Sequence, residues 1–150
     1  MTLGAGVKPF RETDAAKIRY LDPAEAKRLV NGTDPSFHPL VQAALLTGCR
    51  YGEITAFRVA NFDRTAGTVT VGTAKSGKPR HVVLTEEGIA LFDAYSADKE
   101  SSALVFTKPD GTAWGKSHQH RPLRGACQHA KIEPAASFHV LRHTDATMLL

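Results

Sequence analysis

Ser137-Phe138-His139-Val140-Leu141-Arg142-His143-Thr144 places two imidazoles and one guanidinium close together, flanked by Phe138, Val140 and Leu141. Ser137 can cap a helix, and the three apolar residues can bury one side of it while the polar groups point elsewhere. On that helix His139 and Arg142 are three apart and His139 and His143 four apart, so all three project from neighbouring positions. Such a cluster suits an anion. Arginine offers a planar fork of donors that matches phosphate, and a neighbouring histidine can donate or shuttle a proton near neutral pH. A solvated basic face that is rich in histidine accounts for the stretch equally well, so the decision falls to the rest of the chain.

The chain of 150 residues is long enough for one domain with a real core and too short for two of ordinary size. Its 42% hydrophobic and 23% charged residues are those of a soluble globular protein and exclude wholesale disorder. Nineteen Lys and Arg against 15 acids give a net charge of +4, an excess that permits a polyanionic partner without demonstrating one. Cys49 and Cys127 are the two cysteines and have no CxxC spacing, which fits a reducing compartment better than a disulfide framework. No run approaches the ~18 apolar residues of a membrane span. Residues 1–6 lack the charged and apolar regions of a signal peptide, so a cytoplasmic location and no membrane partner are expected.

Residues 1–19 show no sustained periodicity and are read as a linker or N-terminal arm, ahead of a single domain over 20–150. Leu21-Asp22-Pro23-Ala24-Glu25 starts a helix, with Asp as cap, Pro first and Glu third, and Asn31-Gly32 stops it. A second helix is expected from Asp34-Pro35 to Thr47-Gly48, then a turn over Cys49–Gly52 and a short helix over Glu53–Phe57. The period then changes: Thr68–Val71 and Arg80–Leu84 alternate as strands, and Phe62-Asp63 is a third. Thr85 caps a helix through Tyr95, Leu104–Phe106 is extended, and Pro109-Asp110-Gly111 turns the chain. Residues 117–131 read as a helix despite Pro122 and Gly125, and the last helix runs from Ser137 to Leu150. The fold class is therefore α+β, mainly α-helical, with a small antiparallel sheet of about three strands.

Three basic motifs line up along this pattern: Gly48-Cys49-Arg50-Tyr51-Gly52-Glu53 after a helix, Lys75 to Lys78 on a hairpin, and His139 to His143 on a helix. An arginine in a tight turn flanked by glycine has little freedom to swing, and a second arginine on a distant helix can approach the same point. Two guanidiniums converging on one phosphodiester would stabilise a pentacoordinate transition state without a metal. A lysine or histidine adds the proton that arginine cannot release, and a lysine near two arginines has its pKa pushed down toward a useful range.

This arrangement resembles the catalytic domain of the tyrosine recombinases, the phage integrase family. That family's Thr-Gly-hydrophobic-Arg-x-x-Glu turn is similar to Thr47-Gly48-Cys49-Arg50-Tyr51-Gly52-Glu53, with Cys at the usually aliphatic place. Its hairpin motif is similar to Thr73 through Leu84, its helical box to His139 through Thr147, and the start of its domain to Tyr20 through Glu25. The resemblance implies that Arg50 and Arg142 hold the non-bridging oxygens of a scissile phosphate and that Lys75, or alternatively Lys78, is the general acid. Glu53 would orient Arg50, His139 would assist phosphate binding and proton transfer, and His143 would play a structural part beneath the site. No metal or cofactor is implied. The implied activity is site-specific DNA strand cleavage and rejoining through a 3′-phosphotyrosyl intermediate, with double-stranded DNA and recombinase protomers of a synaptic assembly as partners.

Two parts of the family pattern have no counterpart. The nucleophilic tyrosine lies downstream of the helical box, whereas Tyr20, Tyr51 and Tyr95 all precede it, and Tyr51 is read as a packing residue. Trp114 also precedes the box and is read as packing. A separate upstream DNA-binding domain is missing as well, so the expectation is a catalytic domain cut at both ends and inactive alone. Ala146, Met148, Leu149 and Leu150 would then leave an apolar surface that favours self-association. A non-catalytic DNA-binding remnant or regulator is the main alternative. A metal site built on His118 and His120, or on His139 and His143, lacks the Glu of an HExxH helix and an obvious third ligand.

Overall fold

The computed structural model describes residues 19–72 and 78–148, the last four by backbone alone. The linker expected over 1–19 therefore lies almost entirely outside the described residues, as do Lys75 and the Leu149-Leu150 end expected for the last helix.

Helix α1 (Pro23–Gly32) begins as its sequence dictates: Asp22 Oδ1 accepts the Glu25 N–H at 2.8 Å, and Glu25 Oε1 accepts the Asp22 N–H at 3.1 Å. Helix α2 (His38–Thr47) starts later than expected from Asp34-Pro35. Asp34 organises a turn instead, its carboxylate accepting the Ser36 N–H and hydroxyl and its carbonyl accepting the Phe37 and His38 N–H groups. Gly48, at φ 71°, ends α2 in the left-handed conformation that glycine adopts without steric cost. Helix α3 (Tyr51–Ala56) then follows almost at once. The turn expected over Cys49–Gly52 is corrected to Gly48–Arg50, because Tyr51 and Gly52 already form the first helical positions.

The sheet has three antiparallel strands in the order β1 (Phe62–Asp63), β2 (Thr68–Val71), β3 (Arg80–Val83). Phe62 faces Val69 and Val71 faces Arg80, and the alternation of β2 buries Val69 and Val71 while Thr68 and Thr70 stay partly exposed. Thr85 Oγ1 accepts the Gly88 N–H at the start of α4 (Glu86–Ser96). Phe92 on α4 is fully buried and meets the rings of Phe57, Phe62 and Phe106 at 5.3–5.6 Å, which fastens the sheet side of the domain to the Leu104–Phe106 segment.

The helix expected over 117–131 divides into a 3₁₀ turn (Lys116–Gln119) and α5 (His120–Ala130). Pro122 falls in the first turn of α5, where its missing N–H costs no intrahelical bond. Helix α6 (Phe138–Met148) packs against α2, whose Leu40, Val41, Ala43 and Ala44 are fully buried. α2 thus forms the spine, touching α3, α4 and α6, while α1 packs on α5. Among the described residues no helix is long and apolar enough to cross a membrane.

Candidate active site

The site is assembled where the end of α2 meets α6. Because Gly48 turns the chain sharply, Arg50 comes directly ahead of α3, at its N-cap position, with its side chain exposed. From α6, Arg142 reaches this same turn: its Nε donates to the Gly48 carbonyl at 2.7 Å. The guanidinium is thereby fixed by its inner nitrogen, and its two terminal nitrogens have no hydrogen-bond partner among the described residues. The Arg50 guanidinium likewise has none. Two cations on elements 92 positions apart in sequence are thus brought to one turn with donors to spare.

Glu53, expected to orient Arg50, meets it at the backbone. Its Oε1 accepts the backbone N–H of Arg50 at 2.8 Å, and both its oxygens meet the guanidinium of Arg80 at 3.0 and 3.1 Å. The hydrogen bond between Glu53 and Arg50 is therefore to the main chain, and the Arg50 guanidinium reaches the carboxylate through its charge alone. Burial pushes the Glu53 carboxyl up, but the bonds from Arg80 and the Arg50 N–H, with the charges of both arginines, outweigh it and leave its pKa below the usual value. Arg80 is the residue that reading the sequence missed. It was visible at the start of β3, but nothing in its spacing marks it as the partner of a carboxylate 27 positions earlier.

Cys49 lies buried between these groups. Burial pushes its thiol up, Thr47 opposes this with a hydrogen bond, and the charges of Glu53, Arg80 and Arg142 all reach it. One buried atom therefore registers three of the surrounding charged side chains.

On α6, Nε2 of His139 and Nε2 of His143 are 3.0 Å apart, with rings at 4.5 Å and nearly perpendicular. For these nitrogens to bond, one ring donates and the other accepts, which pairs an exposed with a half-buried imidazole. Lys78 is exposed just ahead of β3, and Lys75 is outside the described residues. Thr144, quoted with the helical box but given no role, is fully buried: its Oγ1 accepts the Leu21 N–H at 2.8 Å and donates to the Val140 carbonyl. It ties the start of the domain to the helix that carries Arg142.

Tyr51 is buried, packs edge-on against Phe138, and donates its hydroxyl to the Gly115 carbonyl at 2.6 Å. Burial pushes its pKa up to about 12, the opposite of what an attacking phenolate needs. Trp114 packs edge-on against Phe37. His118 Nδ1 accepts the Gly115 N–H at 2.7 Å and its Nε2 faces Lys108 Nζ at 3.4 Å, so both ring nitrogens already have neighbours. Among the described residues no group of three or more His, Cys, Asp or Glu could hold a metal ion.

Two guanidiniums at one turn, their terminal nitrogens without a hydrogen-bond partner among the described residues, stand with a carboxylate and a histidine pair on a mainly helical domain, an arrangement that suits an anion. The chain belongs to the phage integrase family, whose model it matches over residues 19–150. It is 30% identical to the integrase of Salmonella phage P22, over 89% of this chain and 37% of that protein. The crystal structure of XerA recombinase aligns with 87% of this chain and 50% of its own at 28% identity and a TM-score of 0.72. XerH site-specific recombinase, in a pre-cleavage complex with its difH substrate, shares the fold at 20% identity and a TM-score of 0.67, over 87% of this chain and 42% of its own. The chain spans 26–38% of the length of the curated relatives it matches.

Proposed function

We propose that this chain forms the phosphodiester-binding core of a site-specific DNA recombinase, which cleaves and rejoins strands through a 3′-phosphotyrosyl intermediate. The bond from Arg142 Nε to the Gly48 carbonyl carries this reading, because it brings the guanidinium of α6 to the turn that displays Arg50. The two arginines would hold the non-bridging oxygens and offset the charge that builds on phosphorus. A tyrosine hydroxyl attacks that phosphorus, the bond to the 5′ oxygen of the next nucleotide breaks, and the departing oxygen takes a proton. Lys75, or Lys78, supplies that proton, and His139, with His143 behind it, takes the proton that the attacking tyrosine hydroxyl releases. Rejoining runs the same step backwards from a 5′ hydroxyl.

The hydroxyl that attacks comes from none of Tyr20, Tyr51 or Tyr95. Tyr51 is pinned to Gly115, and Tyr95 lies on α4 against Phe106. Double-stranded DNA is the partner, a role supported by the DNA-bound state of XerH. Assembly of several protomers on DNA, self-association and a cytoplasmic location complete the proposal.

The test is duplex binding by this chain between 50 and 200 mM salt, together with a nicked suicide substrate. Affinity is expected to fall steeply with salt and to be lost in Arg50→Ala and Arg142→Ala. No covalent adduct is expected from the chain alone, and one formed through Tyr51 would sink the assignment of the nucleophile. Salt-independent binding that ignores both arginines would sink the clamp.

A further inference from the structure

A carboxylate inside an arginine clamp is a hazard to the clamp. Glu53 Oε1 lies 2.8 Å from the Arg50 backbone nitrogen, so its charge sits at the residue whose guanidinium has to receive a phosphate. A guanidinium binds carboxylate and phosphate with the same fork, and a carboxylate on the same helix turn has none of the entropy cost of an incoming ligand. Left alone, Glu53 would compete for Arg50.

Arg80 meets that carboxylate first. Its two terminal nitrogens take Oε2 at 3.0 Å and Oε1 at 3.1 Å, in the side-by-side geometry that is strongest for this pair. Glu53 keeps only 19% of its side-chain exposure there, and Arg80, anchored at the first position of β3, keeps 50%. With one N–H of each terminal nitrogen taken by Glu53, the two-pronged face of Arg80 is occupied by the carboxylate and is not open to a phosphate. Resting on the recombinase reading, we propose that Arg80 is a positioning residue that holds Glu53 on the Arg50 backbone and off the Arg50 guanidinium, keeping Arg50 and Arg142 open to phosphate.

The cycle that tests this consists of the chain itself, Arg80→Ala, Glu53→Gln and the double variant, each titrated against a labelled 20-base-pair duplex between 50 and 200 mM salt. Arg142→Ala is the control. Thermal melts confirm that each variant is folded. Arg80→Ala is expected to weaken binding about tenfold. Glu53→Gln is expected to recover about tenfold in the Arg80→Ala background and less than about threefold in the parent, because only there is the carboxylate loose. The salt slope of Arg80→Ala should match the parent.

Equal gains from Glu53→Gln in both backgrounds would overturn the proposal, since that is a charge effect without coupling. A salt slope lower by about one would also overturn it, because Arg80 would then be a phosphate contact. If Arg80→Ala is unfolded at the assay temperature, Arg80→Gln replaces it, keeping one donor to Glu53, and the same coupling must appear. Should the parent fail to bind duplex, or Arg142→Ala bind as the parent does, the recombinase reading falls and this inference with it. Failure of the coupling alone leaves that reading standing.

Discussion

Arg142 Nε donates to the Gly48 carbonyl at 2.7 Å, joining the last helix to the turn that ends the second one. On the recombinase reading the bond would serve stability and function at once, since the nitrogen that fixes the side chain is not one of the two that would meet a phosphate. Lysine at this position keeps the charge but has no inner donor and no fork. Arg142→Lys is expected to lower duplex affinity at least about tenfold while lowering the melting temperature by only about 3–5 °C, the loss of one partly buried hydrogen bond. Anisotropy titrations and a melt decide it; parent-like binding by the lysine variant would mean that charge alone suffices.

Thr144 gives a second test, this time of folding. Its buried hydroxyl is the acceptor for the Leu21 N–H, and valine has the same shape without that acceptor. Thr144→Val should therefore destabilise the domain by about 1–3 kcal/mol, the cost of stranding a buried N–H. Thr144→Ser, which retains the oxygen, should cost less. Urea midpoints for the pair measure this, and equal midpoints would show that water reaches Leu21.

How much of this was legible beforehand follows from where the information lies. Asp22-Pro23-Ala24-Glu25 and Thr47-Gly48 declare helix ends through contacts within four residues, and both stand where the sequence puts them. Val69 and Val71 declare a half-buried strand through their alternation. The start of α2 was misjudged because Asp34 bonds forward into a turn before the helix begins, a choice that its residue type permits but does not require. The motifs around Arg50 and Arg142 were readable as separate basic clusters. The partners of Glu53 and Thr144 were not, since Arg80 and Leu21 are 27 and 123 positions away and no local pattern encodes such a pairing.

Tyr51 offers a spectroscopic check on the packing beside the clamp. Its pKa, raised by burial to about 12, means that the folded state holds the phenolic proton where an unfolded tyrosine, near 10, has lost it. The stability that this contributes is fully present below pH ~10 and is lost as the pH rises toward 12. Absorbance at the phenolate band should show one tyrosine that ionises late, and Tyr51→Phe should remove that late phase. A late phase that survives the substitution would show that Tyr51 is not its source.

Glu53 makes the opposite prediction on the acid side. Its folded pKa is depressed, because the bonds from Arg80 and the Arg50 N–H favour the ionised form more than burial opposes it. The contribution is therefore fully present above the unfolded carboxyl value of about 4.3 and is lost as the pH falls through the lower folded value. Glu53→Gln keeps the shape but cannot ionise, so it should be less stable than the parent at pH 7, and the gap should close as the pH drops below about 4.3. Urea unfolding of both proteins at pH 7, 4.5 and 3 measures the gap directly. A gap that stays constant across that range would mean that the Glu53 carboxylate gains nothing from Arg80 by being charged, and that the fork seen between them is a contact without energetic weight.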